Sequence, residues 1–439
     1  VFPGEQDGQD CHDLIEWLAT QEWCTGKVGM AGNSYLAISQ WFAAAERPPH
    51  LAAIAPWEGM SDIYRDLIMR GGIPDLAFPT TWSHGWAGND KREDLIAEAQ
   101  RYPLFNDLWK SKAARLADIN VPAYIVASYS NSIHTPGTFR AWRDINSQDK
   151  WLRIHRTMEW VDFNDEAHQH DLLRFFDHYL NGKDNDWVHT PRVRYSLLDL
   201  EGGDRIDIAA STFPPQGFNE ARYYLDGQSQ ALTCQPLAAT AATSYVAESD
   251  RDGIAFAVRF DQMTELVGYP KVRLWVEAQG CDDMDVFVFL QKLDADGHHL
   301  QQFNVPNDGE VLQRLTQDGA AVLKYKGSNG RLRVSLRQPD QATSTDAIPA
   351  HSFDRVEKLK PAEIVPIDID MFPIGLAFKP GEQLRLIVTG VNLLGGVMPD
   401  LSTGSPTPQN LGTVTTNNRG RHIIHTGGPH DSYLQITAK

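Results

Sequence analysis

Ser34 stands in Gly32-Asn33-Ser34-Tyr35, after the apolar run Lys27-Val28-Gly29-Met30-Ala31 and before an Ala- and aromatic-rich stretch from about Tyr35 to Ala45. A serine held at a tight strand-to-helix turn projects its hydroxyl from the C-terminal edge of a sheet, the arrangement a nucleophile elbow requires. The glycine two places earlier leaves room for the turn, and the Tyr35 backbone N–H at the helix start is placed to hold an oxyanion. A bare G-x-S means little; the strand before it and helix after it favour a nucleophile over a plain helix-capping serine.

A nucleophilic serine needs a base, and the chain offers several. His134, in Ile133-His134-Thr135-Pro136-Gly137, precedes a predicted helix start, with Thr135 as N-cap and Pro136 as first helical residue. The positive end of that helix would keep the imidazole neutral. Glu159, in Met158-Glu159-Trp160, would emerge from the neighbouring strand end. Ser34, His134 and Glu159 are thus read as nucleophile, base and orienting acid, since triads are defined by geometry rather than chain order. His155 with Asp162 is a rival pair, and His168 or His170 a more distant one. His134 could also simply cap a turn, and Glu159 could pair with Arg153 or Arg156. Trp57, Tyr64, Trp82 and Trp86 could wall a substrate pocket or serve as ordinary packing.

These residues need an α/β sheet to position them. Up to about residue 182 short apolar strands alternate with amphipathic stretches. A helix is predicted over 10–22, strands at Leu51–Ala55, Pro122–Tyr129 and Trp151–His155, and a closing helix over Asp165–Leu180 with Leu172, Leu173, Phe175, Phe176 and Tyr179 facing the sheet. Residues 65–118, with Gly71-Gly72 and many aromatics, read as a helical cap. Beyond 190, short β-rich runs such as Arg192–Leu197, Val272–Glu277 and Gln383–Thr389 are separated by turn pairs, including Asp226-Gly227 and Pro380-Gly381. The expected architecture is an α/β-hydrolase domain over 1–190 followed by an all-β jelly-roll domain over 191–439. The first domain offers only about four strands, so its opening strands are expected upstream of Val1.

Around Ser34 the chain resembles the family of cocaine esterase, α-amino-acid ester hydrolase and X-prolyl dipeptidyl peptidase. The resemblance rests on Trp23-Cys24, Gly26-Lys27-Val28-Gly29-Met30, Gly32-Asn33-Ser34-Tyr35-Leu36 and Ala55-Pro56. It continues at Val121-Pro122-Ala123 and Phe175-Phe176-Asp177, and in the second half at Pro270-Lys271-Val272-Arg273-Leu274, Asp283, Asp285 and Pro380-Gly381. It implies a serine hydrolase of ester or amide bonds, with an upstream tyrosine donating to the oxyanion, no cofactor, and self-association through the β-domain. Three positions depart from the family pattern. Ala37 replaces a glycine, Asn131 stands where the family's triad aspartate falls, and Glu159 stands nearest its histidine. The exchanged assignment of His134 and Glu159 answers the last two.

The 439 residues are 42% hydrophobic and 22% charged, with 12 Trp, 13 Tyr and 18 Phe, a globular composition. Net charge is −17, which opposes binding to nucleic acid phosphates or an anionic membrane. No apolar stretch reaches the ~18 residues of a membrane-spanning helix. Cys11, Cys24, Cys234 and Cys281 show no metal or redox spacing and read as free thiols in a reducing compartment, the cytoplasm being favoured. Asp294-Ala295-Asp296-Gly297 reads as a hairpin turn, and no metal is implied. The expected partners are a small ester, amide or short peptide. A catalytically silent scaffold carrying a carbohydrate- or peptide-binding jelly roll is the alternative, since fold alone does not decide function.

Overall fold

The computed structural model describes residues 3–76, 78–80, 93–249, 251–305, 324–325, 327–393, 397–399, 406–410 and 416–439. They form two compact units. The first comprises Val1–Leu67, Asn106–Ser196 and Arg205–Gln216; the second comprises Ile68–Phe105, Leu197–Asp204 and Gly217–Lys439.

The first unit is built on a six-stranded sheet whose order follows the chain: β1 (Val28–Asn33), β2 (Leu51–Trp57), β3 (Ala123–Ser128), β4 (Lys150–His155), β5 (Val193–Leu197) and β6 (Arg205–Ala210). The pairings β1 to β5 are all parallel. Parallel strands joined by crossover helices are covered on both faces, so they read as unbroken apolar runs rather than alternating ones. All six residues of β3 are buried, as are five of the six in β4.

Helix α1 (Glu5–Ala19) lies against α2 (Tyr35–Ala45). Their approach is close at Gly8, where a Cβ would come within 2.8 Å of the Phe42 carbonyl oxygen. Past β3 come α3 (Thr135–Asp144), α4 (Glu159–Phe163) and α5 (Glu166–Asn181). Leu172 and Phe175 of α5 pack with Trp57, Tyr124, Trp151 and Trp187 into one aromatic core. Burying this much aromatic surface is the main force holding helix to sheet, at roughly 1.5–3 kcal/mol per large side chain.

Two expectations change here. The run 192–197, expected to open the β-rich half, pairs parallel with β4 instead, and β6 follows it, so the first sheet has six strands among the described residues rather than four. The segment 68–105, expected within a cap on the first domain, belongs to the second unit. Its side chains explain why. Ile73 packs with Phe287 and Phe289, Arg70 bonds the Asn329 side chain at 3.0 Å and covers the Phe372 ring, and Asp75 pairs with Arg331 at 2.6 Å.

The second unit is β-rich and almost wholly antiparallel. Lys271–Gln279 pairs with Val365–Asp370, Arg421–Thr426 and Tyr433–Ala438, while Asp285–Leu293 pairs with Asn329–Arg333 and Gln383–Thr389. Its buried charges are paired: Lys292 reaches Asp199 at 3.3 Å and Glu382 at 2.8 Å. No helix among the described residues is long and apolar enough to cross a membrane.

Candidate active site

The C-terminal ends of β1 to β4 gather the groups that carry chemistry. Ser34 follows β1 with φ 57° and ψ −122°, a left-handed conformation that a non-glycine residue holds only when its surroundings impose it. They do so here. The Ser34 N–H donates to the Trp57 and Glu58 carbonyls at 3.2 and 3.1 Å, while its own carbonyl accepts the Ala37 and Ile38 N–H groups at 2.9 Å. Gly32 is obligatory at this bend: with φ +145°, a Cβ there would lie 2.4 Å from the Leu36 Cβ. The Tyr35 amide opens α2 at its positive end.

His134 is 4% exposed, at the N-cap of α3, and its Nε2 lies 3.0 Å from Ser34 Oγ. On the opposite side of the ring, Nδ1 accepts the Met60 N–H at 3.3 Å. Burial pushes the imidazole pKa down to about 3, so the ring is neutral near pH 7.

The Met60 loop is itself fixed. Gly59 N–H donates to Thr138 Oγ1 at 3.0 Å. The Ser61 and Asp62 N–H groups donate to the buried Asp66 carboxylate at 2.9 and 3.0 Å. That carboxylate also accepts from Arg140 at 2.8 Å.

Glu159, the first residue of α4, stands beside His134 with Oε2 3.9 Å from Nε2. The expected orienting acid would approach Nδ1; this carboxylate lies instead against the nitrogen that faces Ser34, and a backbone amide occupies the Nδ1 side. Asn131 aims the carboxylate. Its Oδ1 accepts the Ile133 and His134 N–H groups at 3.0 and 3.2 Å, which turns its amide Nδ2 to donate to Glu159 Oε2. Burial first, and the nearby Glu58 carboxylate second, hold the Glu159 pKa well above the usual carboxylate range.

A second cluster lies alongside. Glu58, fully buried just past β2, accepts from Ser128 Oγ at 2.8 Å. Its Oε1 lies 2.5 Å from His155 Nε2, without hydrogen-bond alignment. His155 Nδ1 faces Thr157 Oγ1 at 3.2 Å and Asp162 Oδ1 at 3.5 Å. Asp162 is gripped in turn by the buried Arg153 guanidinium and by His168, 3.1 Å away. Burial alone would raise the Asp162 pKa, but electrostatic attraction to His155 and Arg153 and the bonds from His168 and Arg153 hold it far below the ordinary value. His155 and Asp162 are therefore brought together, inside a packed ion-pair network. His170 is on the helix surface, 3.8 Å from Glu166.

The pocket residues fare differently. Trp57 is 1% exposed, edge-on to Tyr124 and Phe163, and Tyr64 is fully buried against Trp109. Both are core side chains and wall no open pocket. Trp82 and Trp86 lie outside the described residues. Glu58 and Met60 were invisible as site residues in the sequence. Only the position of Glu58 directly after a strand end marked it, and Met60 acts through its backbone.

Two clusters among the described residues gather metal-type ligands, both in the second unit. In one, Asp294 Oδ1 accepts the Asp296 and His298 N–H groups at 2.9 and 2.8 Å, which makes it a turn. In the other, Asp199, Glu201 and Glu382 are paired with Lys292 and Lys379. The four cysteines are free.

Residues 1–179 match the family model of the X-Pro dipeptidyl-peptidases (S15 family), and residues 185–435 match that of the X-Pro dipeptidyl-peptidase C-terminal non-catalytic domain. A CocE/NonD family hydrolase from Staphylococcus aureus superposes with a TM-score of 0.89 at 34% identity, over 100% of this chain and 77% of that one. An α-amino acid ester hydrolase superposes with a TM-score of 0.67 at 15% identity, over 99% of this chain and 80% of that one, which shows the common fold. The cocaine esterase of a Rhodococcus species is 44% identical over 63 residues, 14% of this chain and 11% of its own length. Nothing in these relatives favours a catalytically silent scaffold.

Proposed function

Because the chain belongs to the CocE/NonD family and is a serine hydrolase, we propose that Ser34 is its nucleophile, with His134 and Glu159 handling the proton that Ser34 gives up. The observation that carries this reading is the 3.0 Å contact between Ser34 Oγ and His134 Nε2 at a strained elbow. Strain at such a turn is maintained because it presents the hydroxyl to solvent-borne substrate while the backbone stays pinned.

In the proposed reaction, Oγ attacks the carbonyl carbon of an ester or amide, and its proton passes to the adjoining base. The tetrahedral oxyanion is held in part by the Tyr35 N–H at the start of α2. The carbon–leaving-group bond breaks as the leaving oxygen or nitrogen takes that proton, which leaves an acyl-Ser34 ester. Water then attacks the ester, and Oγ regains a proton. Substrates are small esters or short peptides, the classes that the names cocaine esterase, α-amino acid ester hydrolase and X-Pro dipeptidyl-peptidase point to. Self-association through the β-rich unit is a further element of the proposal, which sedimentation of the purified protein tests.

The reaction is tested by hydrolysis of p-nitrophenyl acetate and of a dipeptide p-nitroanilide by the full-length protein and by Ser34→Ala. The variant is expected to lose at least roughly 10³-fold in kcat/KM on whichever substrate is turned over. Equal rates in the two proteins would remove Ser34 from the chemistry.

A further inference from the structure

Resting on Ser34 as the nucleophile beside His134, we infer that Glu58 is a positioning residue for the reaction. It ties the main chain of the serine to the main chain of the histidine, and so fixes the gap between Oγ and Nε2. Its effect passes through other residues rather than through contact with substrate.

The backbone supplies one route. Glu58 follows β2 with φ 58°, a left-handed conformation that its surroundings impose on a non-glycine residue. In a regular strand the N–H and carbonyl of one residue point to the same neighbour. At Glu58 they part: the N–H donates to the Val126 carbonyl of β3 at 2.8 Å, and the carbonyl accepts the Ser34 N–H at 3.1 Å. The next two residues reach the histidine. Gly59 N–H donates to Thr138 Oγ1 of α3 at 3.0 Å, and Met60 N–H to His134 Nδ1 at 3.3 Å. Gly59 lies tight against the start of α2, since a Cβ there would be 2.9 Å from both the Ala37 Cβ and the Ile38 nitrogen.

The carboxylate supplies the other route. Oε2 accepts from Ser128 Oγ at 2.8 Å, that Oγ accepts the Asn131 N–H at 3.3 Å, and Asn131 Oδ1 accepts the His134 N–H at 3.2 Å. Thr135 braces the same turn, with its N–H on the Asn131 carbonyl at 3.1 Å and its Oγ1 on the Ser128 carbonyl at 2.8 Å. Glu58, Ser128, Asn131 and His134 are all buried. Away from water, each of these bonds is costly to break, so the path is stiffer than the same bonds would be at the surface. Oε1, 2.5 Å from His155 Nε2, fixes the plane of the carboxylate from the side of β4. Both routes meet at Glu58, and together they hold Oγ and Nε2 at 3.0 Å. Proton exchange between those atoms depends on that separation, and a misplacement of about 1 Å can cost about 10²-fold in rate.

The test measures kcat, per Ser34 titrated with a fluorophosphonate, and KM for the ester that the protein turns over. Glu58→Met keeps the bulk and removes the acceptor. Its kcat is expected to fall about 10²-fold, with KM within about threefold of wild type. Glu58→Gln keeps a hydrogen-bonding group towards Ser128 and is expected to restore kcat to within about tenfold of wild type. Ser128→Ala cuts the next link and is expected to lower kcat about thirtyfold; adding Glu58→Met to it should cost only about threefold more, because one path is cut twice. A Glu58→Met kcat equal to wild type, an equal fall in Glu58→Gln, or a double variant that loses the product of the single losses would each overturn the inference with Ser34 still the nucleophile. If Glu58→Met does not fold, Ser128→Ala decides: a lowered kcat at unchanged KM supports the path, and an unchanged kcat refutes it. Ester turnover by wild-type protein whose Ser34 takes no label would instead defeat the reading beneath.

Discussion

Two buried imidazoles stand at the C-terminal edge of one sheet, and their neighbours make them different chemical groups. His155 meets Glu58 on one nitrogen and Asp162 and Thr157 on the other, and Arg153 locks Asp162 in place. His134 meets a serine hydroxyl on one nitrogen and a backbone N–H on the other, with the Glu159 carboxylate 3.9 Å away on the serine side. Histidine with a carboxylate close by is thus no sufficient mark of a catalytic base. The better-paired imidazole is the one that ties strand ends together, and the poorly paired one faces the strained serine.

The burial of His134 predicts a response to acid. Below pH 6.5 an unfolded His134 takes up a proton, while the buried ring refuses it until about pH 3. The unfolded state then binds more protons, so stability falls as pH drops through this window, by up to roughly 5 kcal/mol from this group alone. Urea unfolding at pH 7 and pH 4 is expected to show a smaller difference in His134→Gln than in wild type. His422 in the β-rich unit, lowered to about 4 by burial, shares the same limb in both proteins, so the comparison isolates His134.

Glu58→Ala attacks the other cluster. It leaves His155 and Ser128 buried without their carboxylate partner, at a cost of about 3–5 kcal/mol in a denaturant midpoint. If Glu58→Ala melts like wild type, the cluster is not structural and the contrast collapses.

Asn131→Asp sharpens the first cluster. A carboxylate replaces the amide that donates to Glu159, so two acids face each other and the pair must share a proton. Ester turnover at pH 7 is expected to fall about tenfold, with an unfolding midpoint near that of wild type; an increase in turnover would show that Glu159 does not depend on this donor. The smallest effect belongs to His170→Ala. That ring is exposed, 3.8 Å from Glu166, and its loss is expected to move neither rate nor stability by more than about 0.5 kcal/mol.

The elbow could be read from the sequence because its ingredients are local: an apolar run, a glycine two residues before Ser34, and helix formers after it. β3, β4 and α5 were legible for the same reason, as continuous apolar or 3.6-periodic stretches. The run 192–197 was not, since a short apolar strand carries no mark of which sheet it joins. The anchors of segment 68–105 could not be read locally, because Asn329, Arg331 and Phe372 lie between about 250 and 300 residues away in the chain. The backbone contact at His134 Nδ1 was out of reach altogether. It depends on the amide of Met60, and a backbone N–H is the same at every non-proline residue.

The most direct test of the central claim is covalent labelling of the full-length protein with a fluorophosphonate, read by intact mass and peptide mapping. One phosphonyl group per chain on Ser34, absent in Ser34→Ala, is the predicted result. A folded, unlabelled protein, or a label mapping to another residue, would contradict it.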